Sequence, residues 1–220
     1  MPEKNEQWSI EHLISTYREA YARFGDSPAA VQWPKGRQDL RFNALTAHIK
    51  KDQFSLLDYG CGLGHLKTYL DARFSAYQYH GVDIVSDFIR DCTLKYRDAT
   101  FELVRNHRDI SREYDHVLIS GVFNIVYEEN VTMYRAIVRD TLEHLFECCR
   151  VALSVNFMTD RVDFKQEFAY HENIADLHKF LCDRLSPRLT LDQSYMPYEF
   201  TVTVFKDSKI VRPDNVYEPI

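Results

Sequence analysis

The chain has 220 residues, of which 45% are hydrophobic and 27% charged, a balance typical of one globular domain with at most a small cap. The formal net charge is −6 and no long run of Lys and Arg occurs, which argues against a nucleic-acid-binding protein. Five scattered cysteines without C-x-x-C spacing argue against a disulfide framework and a zinc site, and no apolar stretch approaches the roughly 20 residues that span a bilayer. Because the N-terminus is polar and lacks a signal-peptide core, we predict a cytoplasmic protein with no metal and no membrane partner.

The first 50 residues predict a helical cap. Apolar side chains recur at helical spacing from Ile10 to Phe24, with Ser9 in the N-cap position. A loop that contains Trp33 follows, and a second helix is predicted at about 38–50. We expect this cap to precede the main domain, at 51–207, and a tail at 208–220.

From residue 54 onward, predicted strands alternate with helices. Apolar runs and alternating patterns predict seven strands, at 54–57, 79–83, 100–104, 117–120, 151–157, 189–191 and 199–205. Helical spacing places helices at about 65–74, 86–96, 131–149 and 174–185. This alternation predicts an α/β fold with a doubly wound, mainly parallel seven-stranded sheet that carries an antiparallel C-terminal strand.

The segment between the first strand and its helix is the most informative. It reads D-x-G-x-G-x-G, with Asp58, Gly60, Gly62 and Gly64. Glycines at such a turn allow positive φ and let a ligand approach the main chain closely. The dinucleotide fingerprint G-x-G-x-x-G would need glycine where His65 stands, and the Gly-Lys-Ser/Thr of a phosphate-binding P-loop is absent too.

A second acid supports a nucleoside site. The second strand ends at Asp83, 19 residues after Gly64, where a carboxylate can accept hydrogen bonds from both ribose hydroxyls. Together, the two features resemble the class I S-adenosylmethionine (SAM)-dependent methyltransferases over roughly residues 54–157. The resemblance implies SAM as the cofactor, a glycine loop under its methionyl part and Ile84 against its adenine. Capping of the next helix is the alternative role for Asp83.

The same resemblance implies contacts after the third and fourth strands. A polar residue after strand three would meet the adenine amino group; Asn106 and Asp109 both fit, and we favour Asp109. Ser120, at the end of strand four, would face the cofactor methyl group and the substrate. The Asn/Asp-Pro-Pro-Tyr element of methyltransferases that act on DNA bases or protein glutamine is missing, since residues 120–124 occupy its place.

Asn124 and His171 are the candidate catalytic residues. Asn124 stands near the end of a strand, where it could orient a nucleophile but not act as a base. Of the nine histidines, His171 lies in the connection after strand five, where substrate often sits, and His65 adjoins the glycine loop. Glu128 and Glu129 would serve as bases if the loop after strand four folds over the site.

The cap supplies two further candidates. Related small-molecule methyltransferases often place such helices over the cofactor. Trp33 would then close the pocket, and Arg41 would pair with the cofactor carboxylate or with an acidic substrate. The alternative is that Trp33 anchors the core and that Arg41 is a surface charge.

These features predict a SAM-dependent methyltransferase that acts on an oxygen or nitrogen nucleophile of a small-molecule or sugar-like metabolite. One alternative is a regulatory protein that binds SAM without catalysing transfer. A nicotinamide-dependent oxidoreductase is the other, although the missing third glycine argues against it.

Overall fold

Two helices precede the sheet in the computed structural model, which describes residues 9–32, 37–166 and 168–206. Helix α1 spans Ile10–Phe24 and is capped by Ser9, whose side chain accepts a hydrogen bond from the His12 N–H. A 3-10 turn follows at Pro28–Val31, and α2 spans Gln38–Thr46, so the second helix ends earlier than predicted. Trp33 and the tail predicted for 208–220 lie outside the described residues.

The described strands form one eight-stranded sheet. They are β1 Phe54–Tyr59, β2 Tyr77–Asp83, β3 Thr100–Leu103, β4 Tyr114–Ile119, β5 Cys149–Thr159, β6 His171–Glu172, β7 Leu189–Met196 and β8 Glu199–Phe205. Seven strands lie in the order β3-β2-β1-β4-β5-β8-β7, and β6 pairs with β5. Strands β1 to β5 run parallel, whereas β8 is antiparallel to β5 and β7. The predicted α/β fold with an antiparallel C-terminal strand is confirmed.

Four more helices connect the strands: α3 His65–Asp71, α4 Ser86–Lys95, α5 Val131–Glu147 and α6 Ile174–Arg184. Between β3 and β4 the chain instead makes a short 3-10 turn at His107–Asp109. None of the helices in the described part of the chain is both long and apolar enough to cross a membrane.

Both faces of the sheet are buried, which explains the continuous apolar run of β1. Leu56 packs with Leu66 and Leu70 of α3, whereas the next residue, Leu57, belongs to the cluster that includes Leu142 of α5. Successive residues of a strand point to opposite faces, so a central strand needs apolar side chains on both. Because β1 to β5 are parallel, their carboxyl ends share one edge of the sheet, and the loops that follow them lie together there.

The glycine loop at this edge packs too closely for side chains. The Gly60 and Cys61 N–H groups both donate to the Val82 carbonyl, at 2.8 and 2.9 Å, which pins the loop to the end of β2. Gly60 has a φ of +77°, and a Cβ added there would lie 2.3 Å from Val122 Cγ2. Only glycine meets both the backbone and the steric requirement at this position.

Replacing Gly60 by alanine should therefore cost more stability than the same replacement at Gly25. Gly25 also has positive φ, +60°, but an added Cβ would meet nothing within 4 Å. Gly25 has a ψ of −155°, so the backbone disfavours an L side chain at both positions, by about 1–3 kcal/mol. We expect Gly60→Ala to lose about 2 kcal/mol more in urea unfolding, because the clash with Val122 is added. A second change, Val122→Ala, should recover part of that difference, and equal losses in the two single variants would contradict the clash.

Two histidines meet inside the protein near the amino end of β4. His48 Nε2 and His116 Nδ1 are 3.1 Å apart, and the rings of Phe54 and Phe205 lie against the pair. Burial, with smaller contributions from the neighbouring His116 and Lys50, lowers the pKa of His48 from 6.5 to about 3, against an opposing effect of the Leu45 backbone. Burial also lowers the pKa of His116 to about 4, although Asp115 opposes that shift.

The free energy of unfolding should consequently fall as the pH drops from about 6.5 towards 4. Histidines of the unfolded chain take up protons in this range while the folded pair stays neutral, at a cost of roughly 2 kcal/mol for each buried histidine at pH 5. The double variant H48Q/H116N keeps amide groups near the two bonded ring nitrogens and should flatten this dependence in urea unfolding. His178→Gln, on the exposed face of α6, is the control and should keep the wild-type slope. If the free energy of unfolding of the double variant changed with pH as steeply as that of the wild type, the histidine pair would not be the source of the pH dependence.

Candidate functional site

A cavity of about 830 Å³ opens at the carboxyl ends of the parallel strands. Its floor is formed by the glycine loop and by the segments after β2, β3 and β4, and helices α1 and α2 contribute residues to its walls. Sites of this volume bind small molecules and cofactors in α/β proteins, at this edge of the sheet.

Most of the predicted site residues line this cavity. They are Arg41, Asp58, Gly60, Gly62, Asp83, Ile84, Ser120 and Asn124. Gly64, Asp109 and His171 are not among the lining residues. Glu128 and Glu129, considered as bases, do not line it either, although the adjacent Tyr127 does.

Asp83 connects the floor of the cavity to two backbone segments. Its Oδ2 accepts a hydrogen bond from the Gly62 N–H at 2.8 Å, and its Oδ1 accepts one from the Val85 N–H at 2.9 Å. Burial raises the pKa of this carboxyl, while the backbone N–H groups oppose the shift. Asp83 is not the N-cap of α4, which is Val85, but it accepts the Val85 N–H while it also lines the cavity.

Asp58 is almost completely buried, with 1% of its surface exposed. Its Oδ2 accepts a hydrogen bond from the Tyr79 hydroxyl at 2.5 Å, whereas its Oδ1 is buried without a hydrogen-bond partner. Burial and the nearby Asp83 raise its pKa to about 7, against the opposing effect of the Tyr79 hydrogen bond. An unpaired buried carboxylate oxygen on a cavity wall is suited to a ligand that brings an N–H or O–H donor.

The segment after β4 is fixed by a buried amide. The Asn156 side chain, on β5, accepts a hydrogen bond through Oδ1 from the Gly121 N–H at 2.8 Å. Gly121 has a φ of +74° and begins the 3-10 turn Val122–Asn124. This turn places Asn124 on the cavity wall, where its Oδ1 is buried and has no hydrogen-bond partner.

Arg41 is buried, not a surface charge, and it forms an ion pair with Glu199. The Arg41 Nε and Nη2 atoms donate to the two carboxylate oxygens of Glu199 at 2.7 and 2.5 Å, and the Tyr195 hydroxyl donates to the same carboxylate at 3.0 Å. A Cβ added to Gly121 would lie 2.7 Å from Arg41 Nη1, so the guanidinium reaches the end of β4. The ion pair joins α2 to β8 across the cavity wall.

The preference for Asp109 over Asn106 is not supported by their positions. Asp109 is exposed and is not among the lining residues, although its Oδ2 accepts a hydrogen bond at 2.7 Å from the N–H of Arg105, which is one. Asn106 lines the cavity, and its side chain caps the 3-10 turn by accepting from the Arg108 N–H at 2.8 Å. The turn itself, which the sequence pattern did not predict, decides between the two residues.

His171 and Gly64 also lie elsewhere than predicted. His171 stands on the short strand β6, where its Nδ1 contacts the Thr159 carbonyl at 2.9 Å. It pairs in register with Met158, which lines the cavity, but His171 itself is not among the lining residues. Gly64 caps the N-terminus of α3 with a φ of +72°, and a Cβ there would lie 2.6 Å from the Tyr96 ring. The absence of a side chain at Gly64 therefore lets the loop pack against Tyr96.

Sequence reasoning missed two groups that line the cavity. Glu199 lies 158 residues from Arg41 along the chain, so no local pattern relates them. Tyr17 of α1 faces Asp83 and Arg41, and burial together with Asp83 raises its pKa. Its helical spacing identified it as part of the apolar face of α1, but not as a residue near the second acid.

Comparisons with known proteins agree with this geometry. No protein-family model matches the chain. It is 32% identical over 160 residues to the Mycobacterium tuberculosis protein named "Putative methyltransferase Rv1506c", a match that covers 71% of this chain and 96% of that protein.

Solved structures share the fold at low identity. Magnesium protoporphyrin IX methyltransferase from Synechocystis, crystallised with S-adenosylhomocysteine (SAH), superposes with a TM-score of 0.60 at 17% identity, covering 92% of this chain and 98% of that chain. A TehB-like SAM-dependent methyltransferase from Corynebacterium glutamicum gives 0.57 at 16% identity, covering 89% and 98%. The match to the mycobacterial relative, together with the glycine loop and the second acid, shows that the chain belongs to the class I SAM-dependent methyltransferase family.

Proposed function

We propose that this methyltransferase transfers the methyl group of SAM to an oxygen or nitrogen nucleophile of a small molecule held in the same cavity. The observation that carries the proposal is the position of the two buried acids, Asp58 and Asp83, at one end of a cavity that continues past the end of β4. A cavity of about 830 Å³ has room for a cofactor and for an acceptor beside it.

The residues over β1 and β2 fit the polar groups of SAM. The buried Asp58 Oδ1 lacks a hydrogen-bond donor, which the α-ammonium of the cofactor would supply. Each Asp83 oxygen already accepts a backbone N–H and retains a lone pair for a ribose hydroxyl. We assign Gly60 and Gly62 to the close approach of the methionyl part, and Arg41 to its carboxylate.

The remaining contacts follow from the order of the strands. Ile84 and Asn106, after β2 and β3, would flank the adenine ring, and Ser120, after β4, would face the methyl group. Asn124 would then lie on the acceptor side of that group.

The main contribution of the protein to this reaction is to position the two reactants. SAM supplies a methyl group on a sulfonium, which is already an activated donor. The protein holds donor and acceptor in line and excludes water, and good alignment can contribute roughly 7–11 kcal/mol of barrier lowering. The buried Arg41–Glu199 pair would keep the cap against the sheet while the two reactants are aligned.

Calorimetric titration with SAM and SAH tests the cofactor site directly. We expect Asp83→Ala to weaken the binding of both ligands about 100-fold, since it removes the ribose acceptors and the brace on Gly62. Asp87→Ala, four residues later on α4, removes a surface ion pair with Arg18 and should leave both affinities unchanged. Absence of SAM and SAH binding in the wild-type protein would refute the proposed function.

A second prediction concerns the pH dependence of SAM binding. Because the pKa of Asp58 is about 7, its carboxyl group is largely protonated at pH 6, and only the ionised form can pair with the α-ammonium. The dissociation constant for SAM should rise roughly tenfold between pH 7.5 and pH 6. Asp58→Asn should bind SAM more weakly and lose this dependence.

5′-Methylthioadenosine provides the matched control ligand, because it lacks the amino acid portion of SAM. Its affinity should be nearly independent of pH over the same interval and should be little changed by Asp58→Asn. An equal pH dependence for SAM and 5′-methylthioadenosine would show that Asp58 does not face the α-ammonium.

A further inference from the structure

The half of the cavity beyond the end of β4 has apolar and aromatic walls. Met158 lies near the end of β5, Phe168 in the connection that follows, and Tyr198 in the turn between β7 and β8. Phe168 and Tyr198 remain 39% and 48% exposed, which is high for aromatic side chains beside a cavity. A ligand with an apolar surface would remove this area from water.

Helix α1 presents a matching apolar surface. Its Ile10 and Leu13 side chains line the cavity and stay partly exposed, whereas Tyr17 and Tyr21 farther along the helix pack against Phe88. A helix with a clear apolar face normally buries it against the core. In this protein the inner face of α1 borders the cavity, so an apolar ligand would complete its packing.

Several polar side chains also line the cavity, among them Gln166 and Glu199, and Asn124 is the one in the turn that follows β4. Asn124 is held by its backbone: its N–H donates to the Gly121 carbonyl at 3.3 Å, and its carbonyl accepts from the Tyr170 N–H at 3.0 Å. Its side-chain Oδ1 is buried without a partner. An orphaned buried carbonyl is costly, and a ligand that supplies an N–H or O–H relieves that cost.

We propose that the acceptor is a flat, apolar molecule, aromatic or conjugated, that presents an N–H nucleophile to the Asn124 side-chain carbonyl. This inference rests on the proposed function and narrows it to nitrogen methylation. The apolar walls select the body of the acceptor, and Asn124 selects and orients its reacting group.

An amine fits Asn124 better than a hydroxyl group does. An amide carbonyl can hold a hydrogen but cannot take up a proton near neutral pH. A hydroxyl nucleophile gains most from a base, whereas an amine already carries a reactive lone pair. Glu199 is a carboxylate on this side of the cavity, but it is already bonded to Arg41 and Tyr195.

The transfer balances without a further reactant. The nitrogen lone pair forms the new N–CH3 bond, and the electrons of the broken S–CH3 bond stay on sulfur, which leaves as SAH. The methylated nitrogen is then positively charged and gives its proton to water at the open side of the cavity. Asn124 acts before this step, by turning the lone pair towards the methyl group.

Three quinolines of equal shape test the proposal: 6-aminoquinoline, 6-hydroxyquinoline and quinoline-6-carboxylate. Each is titrated into the SAH-loaded protein, and methyl transfer from radiolabelled SAM is measured in parallel. We expect 6-aminoquinoline and 6-hydroxyquinoline, which both bring a hydrogen donor to Asn124, to bind about tenfold more tightly than the carboxylate. Only 6-aminoquinoline should be methylated, and at its exocyclic nitrogen, which product analysis distinguishes from the ring nitrogen that all three compounds share. Asn124→Ala should abolish the affinity advantage of the two donor compounds and slow methylation of the amine at least tenfold, whereas Asn43→Ala, at an exposed asparagine of α2 outside the cavity, should change neither.

A second variant separates the apolar walls from the polar contact. Phe168→Ala should weaken all three quinolines by a similar factor while the affinity advantage of the two donor compounds remains. SAH binding by each variant confirms that the protein is folded, and loss of SAH binding by the wild-type chain would instead count against the proposed function. The inference would be overturned by methylation of the hydroxyl oxygen or of the ring nitrogen, by tighter binding of the carboxylate, by amine methylation that is unchanged in Asn124→Ala, or by no binding of any quinoline.

Discussion

The buried Asp83 carboxylate is the interaction on which the organisation of the site depends. A carboxylate at 8% exposure is unfavourable unless N–H groups surround it, and here Gly62 and Val85 supply them from two different connections. The same two hydrogen bonds fix the glycine loop against the end of β2 and the start of α4. Loop geometry therefore depends on one side chain, and in the proposed function cofactor recognition depends on the same one. The distance along the chain between the glycines and this acid is informative for that reason.

A second constraint closes the cavity from the other side. The Arg41–Glu199 pair is almost completely buried, and such a pair adds little net stability because both charges lose their hydration. Its effect is on geometry, since the two parallel hydrogen bonds fix α2 to the beginning of β8 and bring the guanidinium against Gly121. The cap is thus attached to the strand that borders the acceptor half, so its position is coupled to the site.

Sequence reasoning succeeded where the information is local and failed where it is not. The glycine loop spans only seven residues from Asp58 to Gly64, and the strand before it is apolar on both faces, so spacing and hydropathy predicted it. Strand β6 has two residues and no periodic signal, which is why His171 was assigned to the cavity. The choice between Asn106 and Asp109 depended on how a three-residue turn directs each side chain.

The two orphaned oxygens of the cavity lie on opposite sides of the predicted methyl position. Asp58 Oδ1 lies over β1 and Asn124 Oδ1 follows β4, and both are buried without a partner in the protein. Each costs folding free energy that a well-packed core would avoid. A protein tolerates such atoms where a ligand supplies the missing donor, because the site is then already oriented when the ligand arrives. In the proposed function one atom would bind the cofactor and the other the acceptor, so the two unmet hydrogen bonds would hold the two reactants in one cavity.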